Sequence, residues 1–239
     1  MSQFLLTLLN GEQIPYQLER RPRKTVGLRI SAQGLVVHAP KRISQLQLEG
    51  LLISKSEWIQ KKLIDRSNNM IQPILWENGT ELSLLGTAIE LEVISSDRKR
   101  KPRLMNRKLI VALPQPIDST SLANQVIKWF RNYAINDFNR RVEILSTRLG
   151  EDKPRVLLSS AKARWGSCNS KREIRINWRL IQAQPHIINY VICHELAHLR
   201  EMNHSARFWQ IVEDLCPEYK EAENCLKSIS PKLHAIDIN

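Results

Sequence analysis

Eleven residues late in the sequence contain three histidines and a glutamate at spacings that suit a metal ion. The stretch HELAHLREMNH runs from residue 194 to residue 204. Residues four apart on a helix lie on one face, so His194 and His198 can present their rings to one ion, at about 2.0–2.1 Å for zinc. Glu195 lies about 100° further around the helix. It would flank the metal as a general base and would not ligate it.

A catalytic zinc ion needs a third protein ligand besides a water molecule, and His204 is the candidate. It follows His198 by six residues, so the helix must end and the chain must turn back. Zinc proteases with this separation often carry a glycine midway, whereas here Glu201 occupies that position. We expect Asn203 to supply a left-handed backbone conformation instead. Imidazole ligands favour zinc as the metal.

The expected chemistry is water activation. Zinc bound in this way lowers the pKa of a water molecule to about 7. Glu195 would take a proton as the water attacks a carbonyl carbon, and would then pass it to the leaving amine. A phosphoryl or other ester group could meet the same nucleophile, so the residues leave the substrate class open.

Residues near this stretch are weaker candidates for the same site. Tyr190 lies one helical turn before His194, where its hydroxyl could stabilise an oxyanion, although packing against a sheet explains it equally well. Arg164, Trp165 and Asn177 lie in two predicted strands that could wall a cleft and pair with an extended peptide. Their alternative role is structural, with Trp165 in the core. A glycine between them, Gly166, indicates a bulge or a close backbone approach.

The elements that position these residues predict an α+β fold. Hydrophobic periodicity and turn residues predict strands at 13–19, 26–30, 35–38, 82–93, 104–113, 155–160, 163–168 and 174–181. They predict helices at 44–65, 119–149, 184–201 and 206–215, with further helix after Pro217. The last of the bounded helices carries a core stripe that includes Phe208. A linker at 114–118 divides the chain into a β-rich N-terminal domain with one helix, 1–118, and a metallohydrolase domain, 119–239. No internal repeat is apparent.

The bulk properties indicate possible partners and a compartment. The formal net charge of +12 favours acidic partners such as nucleic acid or nucleotides. The basic runs at 20–24 and 98–103 could bind phosphates or could be solvated loops. No apolar run approaches the roughly 20 residues of a membrane span, and no signal peptide is evident. The four cysteines form no CxxC pair, which is typical of reduced thiols in a cytoplasmic protein.

Five motifs in order carry a family resemblance. They are RWGSC at 164–168, INWRL at 176–180, YVICHELAHL at 190–199, NHSARFW at 203–209 and CPEY at 216–219. This order resembles the YgjP-like metallopeptidase family, a zincin-type relative of the SprT-like and WLM metalloproteases. The resemblance is strong over about 155–220 and weaker in the first half.

The resemblance implies one zinc ion at His194, His198 and His204, with Glu195 catalytic. It also implies a zincin-like C-terminal domain made of a long helix, a small antiparallel sheet, the HExxH metal helix and C-terminal helices. SprT-like and WLM proteases act on proteins attached to DNA, so a protease linked to nucleic acid is a further hypothesis by analogy.

Three functions remain open from the sequence. The leading prediction is a zinc-dependent metallopeptidase acting on proteins or peptides. The second is a metal-dependent phosphohydrolase acting on nucleotides, and the third is a nucleic-acid-binding module with structural zinc. A groove with a pairable strand edge would favour the first, several cations aimed at the metal the second, and a closed four-ligand site the third.

Overall fold

A computed structural model describes residues 2–8, 10–31, 34–68 and 74–236, with only the backbone described at residues 2, 3 and 65–68. The chain divides into two units, Met1–Met70 and Ile71–Asn239. Each unit has its own cluster of buried hydrophobic side chains. The turn predicted at Gln33 lies outside the described residues.

The first unit is a four-stranded sheet followed by two helices. Its elements are β1 (Ser2–Thr7), β2 (Gln13–Arg21), β3 (Gly27–Ser31), β4 (Gly34–Pro40), α1 (Gln45–Ser54) and α2 (Ser56–Asn68). The strand order is β1-β2-β4-β3. Strand β2 is parallel to β4, and the other two pairs are antiparallel. The core contains Leu35 and Val37 of β4 beside Leu48 and Leu52 of α1.

The single helix predicted at 44–65 is two helices. Its predicted start is correct, since Ser44 and Gln47 form a reciprocal capping box. The break comes at Lys55, whose φ of −109° leaves the helical range and whose amide donates to the carbonyl of Leu52. Both helices still reach one core, because Leu52 before the break and Ile59 after it are each fully buried.

The second unit begins with another four-stranded sheet, β5 (Glu81–Leu84), β6 (Thr87–Ser95), β7 (Arg103–Met105) and β8 (Lys108–Leu113). The strands predicted at 82–93 and 104–113 are therefore hairpins. Each is interrupted by two residues of positive φ, Leu85-Gly86 and Asn106-Arg107, which is the backbone that tight two-residue hairpins require. The hydrophobic pattern alone did not reveal either turn.

The 31-residue helix α3 (Ser119–Leu149) confirms the longest predicted element. Asp118 caps its first turn by accepting from the amides of Thr120 and Ser121. Gly150 ends it in the left-handed conformation, with φ of 72°. Its buried face shares one hydrophobic cluster with the β5–β8 sheet, so the boundary predicted after residue 118 lies inside the second unit.

A small third sheet precedes the helix that contains the HExxH sequence. It contains β9 (Arg155–Ser159), β10 (Gly166–Cys168) and β11 (Glu173–Asn177), in the order β10-β11-β9. The expectation of an antiparallel sheet is wrong for one pair, since β9 runs parallel to β11. The strand predicted at 174–181 ends at Asn177, whose side chain caps a 3₁₀ helix, Trp178–Gln182.

Three helices complete the second unit: α4 (Pro185–Ala197), α5 (Ala206–Leu215) and α6 (Tyr219–Leu233). Helix α4 packs against α3, α5 and α6 and against strands β10 and β11, which explains why most of its residues are buried. The predicted end of α4 at residue 201 is too late, because His198 already forms its C-terminal cap. The bounds of α5 agree with the prediction.

One strand arrangement occurs three times. In each case a strand is followed by a crossover loop, then by an antiparallel hairpin whose second strand returns parallel to the first. The three sets are β2-β3-β4, β6-β7-β8 and β9-β10-β11, and each is followed by a helix or a 3₁₀ turn and a helix. The structure thus contains a repeat of topology where the sequence shows none.

The described residues include no helix with the length and apolar character needed to cross a membrane.

Two glycines, one at the end of helix α3 and one in the interior of helix α1, test how the backbone conformation sets the cost of a side chain. We expect Gly150→Ala to lower the free energy of unfolding by about 1 kcal/mol, because a side chain in the left-handed region is disfavoured. A Cβ there would otherwise meet only the Arg200 guanidinium, at 3.5 Å. We expect Gly50→Ala, in the interior of α1 with open space around it, to raise it by about 0.5–1 kcal/mol. Urea denaturation followed by circular dichroism measures both, and shifts of the same sign would contradict this account.

Candidate metal centre

The three predicted histidines converge. One ligating atom from each of His194, His198 and His204 lies within 4.8 Å of the others. The Nε2 atoms of His194 and His204 are 3.1 Å apart, whereas two nitrogens on one tetrahedral zinc ion would be about 3.3 Å apart. Among the described residues, no cysteine, aspartate or glutamate joins this cluster. The set therefore has three ligands and an open side.

A backbone carbonyl fixes the orientation of His198. Its Nδ1 lies 3.1 Å from the carbonyl oxygen of Glu201, so the ring donates there and leaves Nε2 free for a metal. Metal-binding histidines commonly donate their second nitrogen to such a group, which sets the tautomer.

The chain reverses after α4 without a left-handed residue. Instead, Leu199, Arg200 and Glu201 continue with turn hydrogen bonds to the carbonyls of residues 196 and 197. The prediction that Asn203 is left-handed is wrong, because its φ is not positive. The Asn203 side chain accepts from the Ser205 amide at 3.0 Å, and this turn directs the chain into α5. No glycine is needed.

The ring of Phe208 lies against all three histidines. Its centroid is 4.9 Å from that of His194, 4.6 Å from that of His198 and 4.7 Å from that of His204. Phe208 is fully buried and sits in the first turn of α5, which Ser205 caps. The sequence indicated only a core role for Phe208, because aromatic residues on an apolar helical face are common.

Glu195 is buried beside the histidines and its carboxylate rests on Gly166. A Cβ added at Gly166 would lie 2.3 Å from Oε1 of Glu195 and 2.7 Å from its Cδ. Only glycine leaves room for this side chain, which explains the close backbone approach expected at Gly166. The Oε2 atom, also buried, accepts no hydrogen bond from a described residue. Burial raises the pKa of Glu195 to about 8, against a smaller opposing effect of Arg164.

His194 and His198 favour their neutral, metal-binding forms. Burial, with smaller contributions from the charges of His198 and His204, lowers the pKa of His194 to about 4. Burial also lowers the pKa of His198, partly offset by its hydrogen bond to the Glu201 carbonyl. The imidazole nitrogens therefore suit a metal ion that prefers nitrogen ligands.

The histidines and Glu195 face a cleft of about 280 Å³. Its other walls are strand β10, with Gly166, Ser167 and Cys168, and the exposed side chain of Met202. Strand β10 is an edge strand. Sequence reasoning did not single out the last three residues, although two of them belong to the RWGSC motif.

The weaker candidates have structural positions. Tyr190 is buried, and its ring lies 6.2 Å from that of His194. Trp165 donates to the Ser230 hydroxyl at 3.3 Å and packs on His234. Asn177 donates to the Ala161 carbonyl at 2.8 Å and accepts from the Arg179 amide. None of these three lines the cleft.

Arg164 is exposed and does not line the cleft either. It acts on Glu195 only through its charge. Asn177 pins the loop that carries Arg164, since it also donates its backbone amide to the Trp165 carbonyl at 2.8 Å.

A helix with an HExxH sequence, together with a third histidine that could share a metal ion with it, is typical of metal-dependent hydrolases. The YgjP-like metallopeptidase domain model matches residues 24–229, and the chain belongs to that family. The match confirms the resemblance seen in the motifs and extends it into the first unit.

Individual relatives match shorter parts of the chain. UTP pyrophosphatase of Escherichia coli (strain K12) is 26% identical over 86 residues, which are 36% of this chain and 48% of that protein. The chain thus spans about half the length of the curated relative that it matches.

Two solved metallopeptidase zymogens also align. Pyrococcus abyssi abylysin is 26% identical, with a TM-score of 0.35 over 37% of this chain and 90% of its own. Methanocaldococcus jannaschii jannalysin is 20% identical, with a TM-score of 0.34 over 38% of this chain and 93% of its own.

The contact between Glu195 and Gly166 predicts an energetic coupling. We expect Gly166→Ala to lower the free energy of unfolding by about 1–3 kcal/mol, because the new methyl group overpacks the buried carboxylate. Glu195→Asp, one methylene shorter, should recover most of that loss in the double variant. Urea denaturation of the four proteins gives the coupling, and additive effects would show that the two residues do not share this space.

The histidine cluster predicts one bound metal ion per chain. We expect His204→Ala to lower the affinity for zinc at least about tenfold, because it removes one of three ligands. His186→Ala is the matched control, since His186 lies on the same helix but is exposed and outside the cluster. Competition with a chromogenic chelator measures the affinities. Equal affinities in the two variants would exclude His204 as a ligand.

Proposed function

We propose that this protein is a zinc-dependent hydrolase in which His194, His198 and His204 bind the metal and Glu195 is the general base. One observation carries the proposal: the three imidazoles and the carboxylate open onto the same cleft. Zinc, when bound, would lower the pKa of a water molecule and polarise the substrate.

Glu195 would accept a proton from the attacking water and deliver it to the leaving group. Its support on Gly166 leaves the carboxylate few alternative positions. Besides the three histidines, the other titratable residue among the described cleft lining is Cys168, and burial raises the pKa of its thiol to about 11. The carbonyl of Glu201 would keep the His198 ring fixed while the proton moves.

The edge strand β10 supports a peptide as the substrate. In an antiparallel pair, alternate residues direct their backbone groups towards the partner strand. The Trp165–Asn177 and Asn169–Glu173 pairs are hydrogen-bonded. Gly166 and Cys168, at the intervening positions, therefore direct their amides and carbonyls away from β11. An extended peptide could pair with them and cross the cleft beside the histidines.

The charge of the cleft points the same way. No lysine or arginine is among its lining residues, and Arg164 acts only from outside. A phosphate substrate would be expected to meet several cations near the metal. A metallopeptidase is thus our leading proposal.

A second candidate, hydrolysis of nucleoside triphosphates, is favoured by two observations. The relative from Escherichia coli is a UTP pyrophosphatase, and the net charge of +12 would attract such substrates. A cytoplasmic location, which the sequence predicts, suits either function. The four cysteines, all free thiols, agree with that prediction. A role with DNA-bound proteins stays a prediction by analogy.

Replacing the base tests the proposal. We expect Glu195→Gln to retain about one zinc ion per chain and to lose activity at least about 10³-fold, because general base catalysis is removed. Glu201→Gln, in the same segment, is the control and should keep both, since only its backbone carbonyl contacts His198.

The assay compares release of peptides from an unfolded protein with release of pyrophosphate from nucleoside triphosphates. If Glu195→Gln abolishes peptide release from a protein that releases no pyrophosphate, the result supports the metallopeptidase. If Glu195→Gln abolishes pyrophosphate release from a protein that releases no peptides, the result supports the second candidate. Full activity in Glu195→Gln would contradict the role of Glu195 in both.

A further inference from the structure

A second concave site lies in the crossover loop between β6 and β7. Strand β8 lies between β6 and β7 in the sheet, so the loop must pass across β8. Leu109, Val111 and Leu113 of β8 are buried in the cluster shared with α3. The loop crosses the opposite face, where Ile110 and Ala112 point.

A cavity of about 290 Å³ separates the loop from this face. Its floor is apolar and consists of Ile110 and Ala112 together with Ile94, which pairs with Ala112 across the sheet. Ile94 keeps 39% of its surface exposed. The floor can therefore contact a flat apolar ring.

The walls of the cavity are cationic. Arg100, Lys101 and Arg103 line it together with the two serines 95 and 96 and one acid, Asp97. Three cations against one carboxylate leave a net charge of +2 in the lining. Within the described part of the chain, the side chains of the three cations form no ion pair or hydrogen bond.

Two backbone hydrogen bonds anchor the loop to β8. The Ser96 amide donates to the Leu113 carbonyl at 3.0 Å, and the Arg100 amide donates to the Ala112 carbonyl at 3.3 Å. Pro102 is buried between two of the cations. An anchored loop loses less conformational entropy on binding than a free one.

The equivalent loop of the first unit provides an internal comparison. It joins β2 to β3 and is also basic, and three arginines at the end of β2 and the start of the loop have partners in the structure. Arg20 donates to three backbone carbonyls between residues 40 and 43. Arg21 pairs with Glu19, and Arg23 donates to Thr25. These arginines of the first unit therefore have internal partners, whereas the three cations that line the β6–β7 cavity have none among the described residues.

We propose that the β6–β7 loop is a binding site for a nucleoside phosphate. The phosphate groups would contact Arg100, Lys101 and Arg103 by charge-assisted hydrogen bonds, and the base would lie on the apolar floor. The small, concave shape favours a single nucleotide over a long nucleic acid, which would need an extended basic track. This site is separate from the histidine cleft and does not depend on the proposed hydrolysis.

Calorimetric titration of the full chain tests the site, with inorganic pyrophosphate and a nucleoside triphosphate as probes. We expect the triple variant Arg100→Gln/Lys101→Gln/Arg103→Gln to weaken binding of both probes at least about tenfold, since three charged contacts are lost. The control Arg23→Gln/Lys24→Gln/Arg29→Gln removes the same charge from the first unit and should bind as the unaltered protein does.

Four outcomes would overturn the proposal. The first is that neither probe binds, and the second is that both triple variants weaken binding equally. The third is that binding persists in the loop variant, as it would if the phosphates bound only at the metal centre. The fourth is that the nucleoside triphosphate binds no more tightly than pyrophosphate. A short single-stranded oligonucleotide that binds the unaltered protein more tightly than the nucleotide would instead favour a nucleic-acid surface.

Discussion

The geometry of the candidate metal centre depends on the packing of three imidazole rings around Phe208. Two of the rings come from one helix, and the third comes from the turn that follows it. Phe208 contacts all three rings, with centroid distances of 4.6–4.9 Å, and so restrains their separation. Because Phe208 belongs to α5, the cap at Ser205 and the turn at Asn203 also determine where His204 lies.

The side of the cleft that carries Glu195 has a similar constraint. The Glu195 side chain occupies the space that a Cβ at position 166 would fill, so the absence of a side chain at Gly166 permits the close approach of helix α4 and strand β10. The close approach also brings the free edge of β10 beside the histidines. One steric contact thus links the position of Glu195 to the free edge of β10.

The third sheet reuses an arrangement found in both preceding sheets. In the first unit, arginines at the end of β2 and the start of the crossover loop contact neighbouring residues. In the β5–β8 sheet the loop encloses a cationic cavity, and in the third sheet it carries Arg164 and leads into the strand that lines the cleft. A repeated backbone arrangement therefore supports three different surfaces, and the differences lie in a few side chains of each loop.

Much of the site could be predicted from the sequence, because helical spacing relates His194, Glu195 and His198 directly. The long helix and its glycine stop were equally readable from local rules. The contact of Phe208 with the histidines could not be predicted from the sequence, and neither could the positions of Trp165 and Asn177 outside the cleft. Both depend on contacts between segments far apart in the chain. The hairpins at Leu85 and Asn106 were missed because each two-residue turn lies inside a stretch whose hydrophobic pattern predicts a single strand. The topological repeat was invisible because backbone topology does not require similar residues.

The central claim is that the three histidines bind one metal ion while Glu195 stays outside its coordination. Anomalous diffraction from crystals of the zinc-loaded protein, collected at the zinc absorption edge, tests it directly. The account predicts one peak per chain, about 2.0–2.1 Å from the Nε2 atoms of His194, His198 and His204, with both Glu195 oxygens beyond bonding distance. A peak at another place, or one with Glu195 as a ligand, would contradict it.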